Sequence, residues 1–132
     1  MPFYRGTPID NYGQRREAPS DALDPEVMRA TVGDDPEIIR DLVEVFVPAA
    51  RSDIAEIHAA VGSAQAERVR SASHKLKGSS GLVGARRLVE VCGKLEAAGN
   101  AGDWSTIGAL APCLDRLMHE VEIAAAMYLR QA

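Results

Sequence analysis

The strongest constraint on this chain begins at Asp35-Pro36-Glu37. From there Ile38, Ile39, Leu42, Val43, Phe46, Ala50, Ile54, Ile57 and Val61 recur at three- and four-residue steps. That spacing winds one apolar stripe down a single long helix ending near Gly62. An acid followed by proline is a helix start. The carboxylate accepts from an otherwise orphaned amide, and proline in the first turn forfeits no bond. Asp24-Pro25-Glu26 repeats the signal and predicts a short helix to about Thr31, stopping before Gly33. Pro48, inside the long helix, has no N–H to donate to the Glu44 carbonyl. A kink is expected there rather than a break, because the apolar period continues beyond it.

A long one-sided helix needs partners for its apolar face, and the rest of the chain supplies them. A third helix should start near Ser63-Ala64, bury Val69, Ala72, Leu76 and Val83, and end between Gly81 and Gly84. A fourth should run from about Ala85 to Ala98, with Leu88, Val91, Cys92 and Leu95 inward and Gly99 as its stop. Asp103 should cap a last helix through Ile107, Leu110, Leu114, Leu117, Val121, Ala124, Ala125 and Tyr128, kinked or split at Pro112. Aromatic residues are only 5% of the chain, so the core is built of small aliphatic side chains that suit close helices. The expected fold class is all-α: an antiparallel four-helix bundle with a short extra N-terminal helix. Residues 23–132 should form that one domain. Residues 1–22, broken by Pro2, Gly6, Pro8, Gly13 and Pro19, read as a flexible N-terminal tail.

Several function classes fall away. The net charge of -4 argues against nucleic acid as a partner. No run approaches the roughly 20 apolar residues that span a bilayer, and no export signal precedes the helices. No membrane association is expected, and the cytoplasm is the expected location. Cys92 and Cys113 are too few for a disulfide framework and read as small buried thiols. No spacing suggests a metal site. His58 and His119 read as surface or helix-end residues.

The chemistry concentrates in Ser73-His74-Lys75-Leu76-Lys77-Gly78-Ser79-Ser80-Gly81. With about 100° per helical residue, Val69, Ala72, Leu76 and Val83 fall between roughly 160° and 220° from His74. His74 therefore points away from the core stripe. Glu67, Arg70, Lys77, Gly78 and Gly81 lie within about 60° of it. An exposed imidazole can act as a nucleophile at neutral pH. Gly78 and Gly81 lower the helix surface beside it, so another protein's backbone can come close. From Arg68 to Lys94 there are seven basic residues and one acid, Glu90, in an otherwise acidic chain. That run predicts a basic surface able to steer an acidic partner.

His74-Lys75-Leu76-Lys77-Gly78-Ser79-Ser80, followed by Gly84-Ala85, Leu88, Cys92, Leu95-Glu96 and Gly102-Asp103, resembles the histidine-containing phosphotransfer (HPt) domain. The resemblance extends upstream through Gly33-Asp34-Asp35-Pro36 and covers roughly residues 22 to 130. It implies a phosphocarrier rather than an enzyme: His74 is phosphorylated and relays the group between aspartyl-phosphate receiver domains of a two-component phosphorelay. Response-regulator receivers and a hybrid histidine kinase are the implied partners. No cofactor is bound by the chain, and the partner receiver is expected to supply Mg²⁺. By the same resemblance Glu96 orients the imidazole and Lys77 offsets phosphoryl charge. Arg70, Lys75, Gly78 and Gly81 are the expected docking residues, while Ser79 and Ser80 turn partly inward to pack or hydrogen bond.

Two positions depart from the family pattern. Gly93 stands where similar domains often carry a larger side chain, and Asn100-Ala101-Gly102 makes a soft turn; neither is expected to touch the histidine. No kinase, receiver or output domain fits in 132 residues, so with its N-terminal Met and tail a free-standing module is expected. The alternative is a helical adaptor that docks receivers without phosphorylation.

Overall fold

A computed structural model describes residues 22–130, and every regular element among them is an α-helix. The short helix α1 spans Pro25–Val32, and the long helix α2 spans Pro36–Gly62. The two Asp-Pro starts work alike. Asp24 Oδ1 accepts from the Glu26 amide and Asp35 Oδ1 from the Glu37 amide, each at 2.9 Å. α2 runs unbroken through Pro48. Helices α3 (Ala66–Leu82), α4 (Arg86–Ala101), α5 (Trp104–Leu110) and α6 (Cys113–Leu129) follow.

Two of these boundaries differ from the sequence expectation, and the split at Pro112 agrees with it. α3 begins at Ala66, because Ser63 and Ala64 belong to the stop of α2. Ala64 takes the left-handed φ of 54°, and its amide and that of Gln65 bond back to Val61 and Ala60. Gly99 does not stop α4. The helix continues to Ala101 and ends on Gly102 at φ 68°. Gly99 is instead buried inside α4, where a Cβ would stand 2.8 Å from the Arg70 nitrogen and 2.9 Å from the Ala66 carbonyl oxygen. It is the close-approach point of α3 and α4. The last helical segment splits at Ala111-Pro112, since Pro112 has no amide with which to continue the ladder.

The long helices α2, α3, α4 and α6 form the bundle. α3 lies between α2 and α4, and α6 closes the other side against α2 and α4. Three-residue connections between α2 and α3 and between α3 and α4 force antiparallel neighbours. Val43, Ile57, Val69, Leu76, Leu88, Leu95, Leu114 and Val121 fill the centre with no more than trace exposure. Met28 brings α1 onto that core, and Ala22 and Leu23 are buried beside it. The rest of the expected tail, residues 1–21, lies outside the described residues. Gly84, at φ 69°, is pressed so close to Asp24 that any side chain would collide. Cys92 is buried, but Cys113 is only half-buried, because it opens α6 rather than sitting in mid-helix. Two polar contacts tie α2 to α6: the ion pair of Arg51 with Glu122, and His58 Nε2 with Asp115 Oδ2 at 3.1 Å. His119 is exposed.

Candidate functional site

α3 puts Val69, Ala72, Ser73, Leu76 and Ser80 into the core. By helical phase that turns His74 outward, and its side chain is 64% exposed. One ring nitrogen is nevertheless held. His74 Nδ1 lies 2.8 Å from Glu96 Oε2 on α4. An ionised carboxylate only accepts, so Nδ1 carries the hydrogen. In the neutral ring, Nε2 then keeps its lone pair.

Glu96 is itself clamped. Lys77 Nζ sits 2.6 Å from Oε1, and the Glu96 side chain is only 21% exposed. The Lys77 ammonium holds the Glu96 carboxyl below the ordinary 4.5; partial burial opposes this, and His74 adds to it. The carboxylate is thus ionised at neutral pH and can orient the ring and stabilise positive charge on it. His74, Lys77 and Glu96 come together as one group. Lys77, however, approaches Glu96 rather than standing alone beside the imidazole.

Gly78 and Gly81 are exposed, and a Cβ built on either would meet nothing within 4 Å. Nothing inside the chain requires glycine there, in contrast to Gly84 and Gly99. Gly93 does not reach the histidine, but it borders the Lys77 stem. A Cβ there would lie 3.8 Å from Lys77 Cδ, because the lysine stem crosses α4 at this point on its way to Glu96. Ser79 donates to the Leu76 carbonyl at 3.2 Å, and Ser80 is wholly buried.

The basic run does not make a uniformly basic face. All seven residues have an acidic partner. Arg68 meets Glu56 through two nitrogens at 2.9–3.0 Å, Arg70 meets Glu67 and Lys75 meets Asp53. Lys77 meets Glu96, Arg86 meets Asp24, Arg87 meets Glu120 and Lys94 meets Glu90. Six of those acids lie outside the stretch Arg68–Lys94, which a count along that stretch does not register.

Sequence reasoning passed over Asp53. This α2 acid is buried and lines a groove of about 520 Å³ between α2 and α3, together with His74 and Lys75. The available signal was its place in the apolar stripe between Ala50 and Ile54. On the inner side, burial pushes the Cys92 thiol up to about 12, and the Asp53 charge adds to the effect. That thiol is inert at neutral pH. Among the described residues, no group of three or more His, Cys, Asp or Glu side chains could hold a metal ion.

The family model for the Hpt domain matches residues 41–122. The fold is similar to the crystal structure of histidine-containing phosphotransfer protein B (HptB) from Pseudomonas aeruginosa PAO1. The TM-score is 0.80 at 24% sequence identity, covering 86% of this chain and 99% of that one. No curated protein gives a significant match.

Proposed function

We propose a function from one premise: this chain belongs to the Hpt domain family. Its role is that of a phosphoryl carrier, with His74 as the phosphoacceptor between aspartyl-phosphate receiver domains. The observation that carries the reading is the state of the imidazole. The ring is largely exposed, yet its Nδ1 is fixed by an ionised carboxylate, which leaves Nε2 as the nucleophile.

The transfer follows from that arrangement. The Nε2 lone pair attacks the phosphorus of the receiver's aspartyl phosphate in line with the leaving oxygen. The N–P bond forms as the acyl phosphate P–O bond breaks, and the electron pair returns to the receiver's carboxylate. The Nδ1 proton stays on the ring, and Glu96 balances the positive charge that develops there. Lys77, held at the same carboxylate as the ring, is assigned to share the charge of the phosphoryl oxygens. The second transfer reverses the step onto another receiver's aspartate. Mg²⁺ on the receiver would neutralise phosphate charge in both directions.

Arg70, Lys75, Gly78 and Gly81 are assigned to the docking face. The open space over both glycines supports this, because their cost of up to about 1 kcal/mol each in a helix has no return inside the chain. The carrier is assigned to the cytoplasm, with a hybrid histidine kinase upstream. Among the described residues no helix is long and apolar enough to cross a membrane.

The test is a mixture of the protein with a radiolabelled phospho-receiver and Mg²⁺, run beside His74→Gln. Label should move onto the wild-type chain and not onto the variant. Equal labelling of both overturns the assignment.

A further inference from the structure

Asp53 is the acid that α2 carries inside its own apolar stripe, among the buried Ala50, Ile54 and Ile57. Its side chain is 8% exposed. A carboxylate so placed is costly to ionise unless a cation compensates it. That cation is Lys75, whose Nζ is 3.5 Å from Oδ1 and whose side chain is 77% exposed. The pair is lopsided, a buried acid holding a base that stands in solvent. The neighbouring Glu56 and Arg68 satisfy each other in a two-point pair, so Lys75 is the partner left to Asp53.

The position of this pair matters. Lys75 follows His74 directly, and consecutive helical side chains diverge by about 100°. A lysine there has four rotatable bonds and no intrinsic reason to stay near the imidazole. Asp53 draws the ammonium toward α2, where it borders the same groove as His74. On the opposite flank Glu96 draws Lys77 toward α4. His74 therefore stands between two ammonium groups, each held by a carboxylate from a different helix.

We infer that Asp53 is a positioning residue for phosphoryl transfer, holding Lys75 on the α2 flank of His74 to offset the charge of the phosphoryl oxygens. This rests on the carrier reading of His74. Asp53 makes and breaks no bond in the transfer, and Lys75 acts only through its position. The two flanks divide the work: Glu96 both orients the ring and holds a lysine, whereas Asp53 only holds a lysine.

The test compares Asp53→Asn, Lys75→Met and the double variant in transfer from a labelled phospho-receiver. Binding of the unphosphorylated receiver is measured alongside. Each single variant should slow transfer at saturating receiver by about five-fold, and the double should be no slower than the slower single, as for a coupled pair. Receiver binding should change less than the transfer rate. If Asp53→Asn fails to fold, Lys75→Met decides alone, because it alters only an exposed side chain. Wild-type transfer by Lys75→Met, or additive losses in the double variant, overturns the inference. So does an Asp53→Asn protein that melts earlier but transfers normally. Failure of the carrier reading looks different, as equal labelling of wild type and His74→Gln.

Discussion

Gly93 of α4 lies beneath Lys77 of α3, with the lysine's Cδ 3.8 Å from where a Cβ would stand. One turn further along α4, Glu96 receives the same lysine's ammonium and the Nδ1 of His74. The absence of a side chain at Gly93 thus leaves a channel for Lys77 to reach the carboxylate that orients the imidazole. A substitution at Gly93, three residues before Glu96 on α4, should act through that stem.

Gly93→Ala should be accepted, since 3.8 Å is ordinary contact, and should stabilise the helix by up to about 1 kcal/mol. Gly93→Leu should displace Lys77 and slow transfer by about ten-fold while the bundle still folds. Melting curves and transfer rates on the two variants check this. A leucine variant with wild-type transfer would show that Lys77 reaches Glu96 by another route.

Glu96→Ala should slow transfer by one to two orders of magnitude, on the order of 1–3 kcal/mol for a directly contacting partner. Glu96→Gln can still accept from Nδ1 but brings no charge, so its loss should be smaller. Single-turnover kinetics with a phospho-receiver separate the two. Equal rates in both variants would leave orientation without a role.

The Lys77 ammonium holds the Glu96 carboxyl below its ordinary 4.5 in the folded protein. A depressed folded value means the clasp contributes stability above the unfolded value and loses it as pH falls through the folded one. The His74–Glu96 hydrogen bond should therefore persist below pH 4.5, the ordinary value for this group. A carboxyl titration followed by NMR should place the Glu96 midpoint below those of unpaired glutamates. A midpoint at or above them contradicts the pairing.

Glycines in α3 and α4 should separate by role. Gly99→Ala pushes a methyl against the Arg70 and Ala66 backbone and should destabilise the bundle by about 1–3 kcal/mol. Gly78→Ala and Gly81→Ala meet open space and should stabilise the bundle by up to about 1 kcal/mol each, raising the melting temperature. If they belong to the docking face, both should also weaken receiver binding. Denaturant unfolding and a binding titration read the two effects independently.

Helix identity and phase were legible along the chain because they depend on neighbours three and four residues away. The Asp-Pro starts of α1 and α2 and the outward turn of His74 rest on local rules alone. The role of Gly99 is not legible along the chain, for a related reason. Glycine near the end of a helix signals a cap locally, but here its missing Cβ serves the approach of α3, which no local rule detects. The boundary at Ser63–Ala64 is hidden more simply. Ser63 resembles a helix start, and only its backbone bonds to α2 assign it to a stop.

What the sequence determined by itself was therefore a set of helices, the stripe each one buries and the exposure of one histidine. Those properties follow from the 3.6-residue period and survive any arrangement of the helices. The tertiary structure decided which charges meet. Lys75 finds Asp53, Arg68 finds Glu56, and Lys77 finds Glu96 over the bare surface of Gly93. Each of those contacts depends on how α2 and α4 are rotated against α3, and that rotation is set by interlocking side chains across the whole core.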